Sequence, residues 1–368
     1  MKQYEIFCTV IDNYGDAAVS WRLARQLANE HGLSVRLWID DLTPLAALEP
    51  DVAHNLSAQN VAGVDIHHWR EPIDPYPLGE VDTVIAAFGC RLPEPWLNAM
   101  AASQRPPRWL NLEYLSAETW VETCHLLPSP HPRLPLTQRF FFPGFTTQTG
   151  GLLREQHLIQ ERDQFQSDPA AQAEFWRRLG VNAPADAIKI SLFAYAHAPL
   201  SDILHAWAQA TQLVCCLIPQ SPLTAIANTL PAWLQQKLSI HHLPFLSQHD
   251  YDRLLWACDA NFIRGEDSLV RALWAARPLV WHIYPQEMDA HTTKLNAFLD
   301  RQLQYTDTET VRIAKTFAKA WNAMTPTPEQ HIAALDWLHH LPTLSHVQQR
   351  WSQMLATQTD LASNLERH

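Results

Sequence analysis

NFIRGEDSLVRALWAARPLVWHIYPQEMDAHTTK, residues 261–294, decides the fold. Residues 260–263 read as a short buried strand that ends at Arg264-Gly265. Glu266-Asp267-Ser268 then opens a helix whose apolar residues Leu269, Leu273 and Trp274 recur at helical spacing. Pro278 follows the helix, residues 279–284 read as a second strand, and another helix is expected near Gln286. Strand, glycine turn, helix and strand make a βαβ unit. A helix N-terminus presents free N–H groups and partial positive charge, which suits an anion such as a diphosphate. Acidic residues in the first turn also stabilise a helix. Spacing alone therefore serves a capping role and a ligand role for Glu266 and Asp267 equally.

Working outward, the same alternation recurs. Residues 188–195, 214–218 and 240–246 read as strands that precede the opening stretch, and residues 309–321 and 345–357 as helices that follow it. Near the N-terminus, residues 4–11 form a β-rich apolar run. The turn Asp12-Asn13-Tyr14-Gly15-Asp16 leads into a helix with Val19, Leu23 and Leu27 on one face. Further strands are expected at 35–39, 64–69, 81–88 and 109–112. Strands alternating with helices indicate mostly parallel, doubly wound sheets. Open sheets of this kind bind ligands outside the carboxyl ends of their strands, where Asp12 and Asp16 fall. Residues 1–150 are expected as one Rossmann-like domain and 151–184 as a helical connector. Residues 185–325 are expected as a second Rossmann-like domain, and 326–368 as helices packing back on the first. Two such domains would face each other across one cleft.

Composition narrows the function. With 47% hydrophobic and 18% charged residues the chain is globular, not disordered. A net charge of −11 argues against general nucleic-acid binding, whereas an acidic pocket suits a cationic acceptor. The six cysteines have no paired or CxxC spacing and read as buried thiols of a reducing compartment. The N-terminus lacks a signal-peptide pattern and no run reaches the length of a membrane span, so a cytoplasmic location is expected.

Other motifs carry less. Asp250-Tyr251-Asp252 matches the D-x-D of metal-dependent sugar transferases but opens a helix, where capping is the simpler role. The paired histidines show no zinc-ligand spacing, so no metal site is expected. His282 and His291 read as core or surface residues. No G-x-S-x-G supports a hydrolase, and no G-x-G-x-x-G supports a dinucleotide oxidoreductase.

Ordered across most of the chain are IDNYGD with WRLARQLA, VRLWIDDL, AAFGC, LNLEYLSAE, SPHP, FFFPGFT with TGGLL, LPFLSQHDYDRLLWACDANFIRGEDSLVRA and WHIYPQ. In these stretches the chain closely resembles EarP, the elongation factor P arginine rhamnosyltransferase family. The resemblance implies a GT-B fold, two Rossmann-like domains around a cleft, with no catalytic metal and no cofactor. It implies TDP-β-L-rhamnose as donor and an arginine of elongation factor P as acceptor, modified with inversion in support of polyproline translation. It places Asp12 and Asp16 at the acceptor arginine, within the loop that includes Asn13, Tyr14 and Gly15, and makes Glu266 the essential glutamate. Arg264, Asp267 and Ser268 would surround the diphosphate. Phe193 and Tyr195 would lie near the donor, and Phe245 and Gln248 would place the thymine. Ala17-Ala18 departs from the bulkier residues expected after IDNYGD. Two other readings stand beside this one: a GT-B transferase with another nucleotide sugar or a small-molecule acceptor, and a non-catalytic nucleotide-sugar-binding module. A panel of donors read by thermal shift separates the first of these from the family reading, because a specific ligand stabilises the fold.

Overall fold

Parallel pairing of buried strands builds both halves of the chain. The computed structural model describes residues 1–11, 14–69, 81–285, 290–324 and 329–368, without the side chains of Gln235 and Gln236. The expected helix start near Gln286 lies outside the described residues. The chain divides into two units, Met1–Gln156 with Gln358–His368, and His157–Thr357.

The first unit opens with β1 (Gln3–Cys8), α1 (Gly15–His31), β2 (Ser34–Ile39) and α2 (Leu42–Leu48). It continues through β3 (Ala58–Val61), β4 (Val64–His68), β5 (Thr83–Ala87) and α3 (Glu94–Ala102). It closes with β6 (Arg108–Leu112), α4 (Trp120–Cys124), β7 (Pro128–Pro130) and β8 (Thr137–Phe141). Among the described residues the sheet runs β3-β4-β2-β1-β5-β6-β8-β7. Its six inner strands pair in parallel, and the two edge strands are antiparallel. β1 and β5 are buried on both faces, as strands of such a sheet are when helices cover it, and the Glu5 carboxylate of β1 accepts from Arg36 and Trp38. From β1 the chain crosses to β2 on one side, while β5 lies on the other. The gap between β1 and β5 is thus the topological switch point, with the Asp16 loop at its carboxyl end.

The second unit begins with α5 (Leu158–Ser167) and α6 (Pro169–Arg178), separated where Asp168 caps the second helix and Pro169 starts it. Where a connector is expected at 151–184, these helices pack into the second unit. The Arg162 Nη1 donates to the Trp274 carbonyl at 2.7 Å, and Phe175 lies in a core cluster with Leu217, Leu243 and Leu254. There follow β9 (Ile188–Leu192), α7 (Leu200–Trp207), β10 (Val214–Pro219), α8 (Pro222–Ala227), α9 (Ala232–Lys237) and β11 (Ser239–Leu243). Next come α10 (Gln248–Ala257), β12 (Ala260–Arg264), α11 (Glu266–Ala275) and β13 (Leu279–His282). α12 (Ala290–Gln302), α13 (Thr308–Trp321), α14 (Glu329–His339) and α15 (Leu341–Ala356) complete the unit. The sheet is parallel in the order β11-β10-β9-β12-β13, so its switch point lies between β9 and β12.

Phe262 sits at the centre of this core. Its ring meets Trp207, Phe317, Trp321 and Trp337 edge-on, so three tryptophans distant in the chain share one aromatic centre. α14 and α15 belong to this core through Trp337, Leu341 and Leu344. Of the C-terminal helices expected on the first domain, only α16 (Leu361–Arg367) joins the first unit. There Asp360 accepts from the Gln26 amide at 3.1 Å, and the Leu361 N–H donates to Leu152.

All six cysteines are free, and five of them are buried. No helix among the described residues is long and apolar enough to cross a membrane.

Candidate active site

In the second unit the loops leaving β9 and β12 converge at the switch point. Gly265 links β12 to α11 with φ of 72°, a conformation costly for any residue with a Cβ. This turn aims the first N–H groups of α11 outward past Glu266, Asp267 and Ser268, all half-buried. The Arg264 guanidinium lies over two aromatic faces, 4.7 Å from the Phe193 centroid and 4.7 Å from that of Tyr195. It makes no ion pair or hydrogen bond among the described residues, and its Nε is buried without a partner. A half-buried cation held by π faces instead of carboxylates keeps its charge available to an incoming anion. Phe193 packs edge-on against half-buried Tyr251 at 5.8 Å.

Three residues outside the expected set shape this site. Lys294 from α12 binds Glu266 Oε1 at 3.0 Å and lies 5.9 Å from the Trp281 ring. His282, at the end of β13, accepts the Tyr195 N–H on Nδ1 at 3.1 Å. Tyr284, exposed, meets the Tyr195 ring edge-on at 5.4 Å. With Nδ1 an acceptor, neutral His282 carries its proton on Nε2, which has no hydrogen-bond partner among the described residues.

Burial pushes the His282 imidazole down to about 3, and the nearby His197 and Arg264 add to the effect. The sign follows from linkage. The unfolded chain takes up a proton near 6.5 while the folded chain does not, so stability present above pH 6.5 is lost as pH falls toward 3. At about 1.4 kcal/mol for each pH unit, the loss reaches about 2 kcal/mol at pH 5. Replacing His282 with Asn keeps an acceptor for the Tyr195 N–H and removes the titration. Urea unfolding at pH 7.5 and pH 5 is expected to show a smaller acid loss in His282→Asn, and an equal loss in both proteins would contradict this assignment.

α10 carries the other expected donor residues. Ser247 caps it by accepting the Asp250 N–H, Gln248 is its buried first residue, and Phe245 precedes it half-buried. The D-x-D carboxylates are both engaged. Asp250 pairs with Arg178, while Asp252 receives a bidentate guanidinium from Arg271 of α11 at 2.9 and 2.7 Å. Among the described residues no cluster of three His, Cys, Asp or Glu could hold a metal.

In the first unit, Asp12 and Asn13 lie outside the described residues. Tyr14 is exposed at the N-cap of α1, and Gly15 is the first residue of that helix. Asp16 stands in the first turn and is 1% exposed. One carboxylate oxygen accepts the Ile11 N–H at 2.9 Å, and the other accepts the Tyr114 hydroxyl at 3.3 Å. Ala17 and Ala18 are both buried, so the departure from the family pattern falls on the packed face of α1. Tyr114 follows β6 at the same sheet edge as Asp16, a position that strand alternation alone would have indicated.

Two units, each built on a mostly parallel, doubly wound sheet, make up the GT-B fold. A glycosyltransferase from Rickettsia africae shares this fold, with a TM-score of 0.54 at 9% identity over 100% of this chain and 96% of that one. The chain belongs to the family described as Elongation-Factor P (EF-P) rhamnosyltransferase EarP, which matches residues 4–368. The protein-arginine rhamnosyltransferase of Pseudomonas putida KT2440 is 45% identical over 374 residues, covering 98% of this chain and 97% of its own. A solved structure that describes EarP-mediated arginine glycosylation of translation elongation factor EF-P matches with a TM-score of 0.67. It is 32% identical and covers 100% of this chain and 98% of its own. The chain is thus an enzyme of the rhamnosyltransferase class.

Proposed function

We propose that this enzyme, acting in the cytoplasm, transfers L-rhamnose from TDP-β-L-rhamnose to one arginine of elongation factor P, with inversion, and so supports translation of polyproline stretches. The observation that carries the donor half is Arg264, an uncompensated cation beside a left-handed glycine turn and a helix N-terminus. Such a site suits the diphosphate of a sugar nucleotide. Asp267 and Ser268 would complete the phosphate site, Phe245 and Gln248 would hold the thymine, and Phe193 and Tyr195 would wall the donor.

The acceptor half requires carboxylates. A guanidinium has a pKa above ~12 and delocalised lone pairs, so it attacks poorly unless oriented and deprotonated. Asp16 is the base in this reading and Asp12 the orienting partner. The guanidinium nitrogen forms a bond to the anomeric carbon, its proton passes to Asp16, and the C–O bond to TDP breaks with its electron pair. Arg264 and the α11 N-terminus stabilise the charge on the departing TDP. Glu266, held by Lys294, supports the oxocarbenium-like transition state or places the sugar. The mechanism routes no step through a metal or cofactor.

The test is intact-mass measurement of elongation factor P after incubation with this enzyme and TDP-rhamnose. A gain of one deoxyhexose at a single arginine is the expected result. An unmodified acceptor with active donor turnover would point to a different acceptor.

A further inference from the structure

We infer that Tyr114, braced by Phe88, is a positioning residue that fixes the carboxylate of Asp16 for proton removal. This rests on the reading of Asp16 as the base. Three observations on separate elements converge on it. The Tyr114 hydroxyl donates to Asp16 Oδ1 at 3.3 Å, while the Ile11 N–H holds Oδ2 at 2.9 Å. The carboxylate is therefore gripped from two sides, one of them a side chain at the acceptor loop's own sheet edge. At 3.3 Å the hydroxyl contact is loose, as catalytic hydrogen bonds commonly are before substrate tightens them.

The Tyr114 ring lies on the Phe88 ring at 4.8 Å, with 22° between the planes. Phe88 has φ of 56° and is followed by Gly89 at 70°. A bulky residue in the left-handed region is strained and persists only where the surroundings impose it. Here the Phe88 N–H is bound to the Leu112 carbonyl at 2.7 Å, two residues before Tyr114. The strained turn after β5 is thereby fastened to the end of β6 and holds the Phe88 ring under Tyr114. β1 and β5 flank the switch point, so the brace spans the place where this sheet type binds ligands.

Tyr114 is 38% exposed beside a nearly buried Asp16. The hydroxyl thus holds the carboxylate from the more exposed side, where an acceptor can approach.

The experiment measures initial rates on elongation factor P with TDP-rhamnose for Tyr114→Phe, Asp16→Asn and the double variant, each across pH. Tyr114→Phe keeps the ring on Phe88, so it is expected to fold normally. Its kcat should fall on the order of tenfold with the KM for TDP-rhamnose unchanged. The acid limb of its kcat profile should move to higher pH, because a carboxylate that loses a donor holds a proton more tightly. The double variant should be no slower than Asp16→Asn alone. Wild-type kcat and pH profile in Tyr114→Phe, with Asp16→Asn inactive, overturns this inference and leaves the proposed function standing. A lower kcat with an unmoved acid limb and an additive double variant also overturns it, since packing alone then explains the loss. Near-normal turnover of Asp16→Asn removes both this inference and the assignment of the base.

Discussion

Asp16→Asn is expected to lower turnover ~10²-fold or more while TDP-rhamnose still shifts the thermal midpoint as it does in the unaltered enzyme. The size follows from the chemistry. General-base catalysis contributes about 10²–10⁴-fold, and a guanidinium is so weakly acidic that little of this can be supplied by water. In the proposed roles the diphosphate is held by Arg264, Asp267 and Ser268, so donor binding is expected to survive loss of the Asp16 charge. The replacement is also nearly silent for the fold. An Asn oxygen can accept the Ile11 N–H, and its amide can donate to the Tyr114 oxygen, so both contacts survive with one direction reversed. What remains is the loss of a negative charge in the first turn of α1, worth about 0.3–1 kcal/mol. Turnover within a few-fold of normal would remove Asp16 from the role of base.

The turn into α11 was more legible in the sequence than the surroundings of Asp16, and the reason is range. Residues 260–284 announce a βαβ unit because glycine, acidic first turn and helical apolar spacing are local signals, and each of them is realised in β12, Gly265 and α11. Other features depend on where distant residues meet. Phe88 reads as the last residue of a strand because bulky residues seldom take positive φ. Only the bond to Leu112 and the stack on Tyr114 explain its conformation. The hairpin of β3 and β4 went unread for a similar cause. Its turn places Ala62 at φ 48° and Gly63 at φ 80°, and alanine gives no hint of a position where asparagine or aspartate is usual. His282 is one of nineteen histidines in the sequence; burial under Tyr195 and beside Trp321 makes it distinctive, and neither neighbour is close in the chain.

The second large effect concerns the pair that no local pattern exposes. Asp252 and Arg271 are 5% and 2% exposed, and two hydrogen bonds join them across α10 and α11. α10 begins with Gln248, and α11 begins with Glu266, so one ion pair joins the helices assigned to the thymine and to the diphosphate. Asp252→Ala removes the bidentate acceptor of a guanidinium held away from water. Breaking a buried pair in this way costs about 3–5 kcal/mol, so the urea midpoint of the second unit should fall substantially. The double change Asp252→Leu with Arg271→Met removes both charges and should recover most of that stability, because the desolvation cost disappears along with the attraction. Donor binding separates two roles for the pair. If the ion pair sets the spacing of the helices, the double variant should be stable yet bind TDP-rhamnose more weakly. If it serves stability alone, affinity should return with the fold. A loss under about 1 kcal/mol in Asp252→Ala would mean that the other contacts of Arg271 suffice, and the pair would then hold neither helix in place.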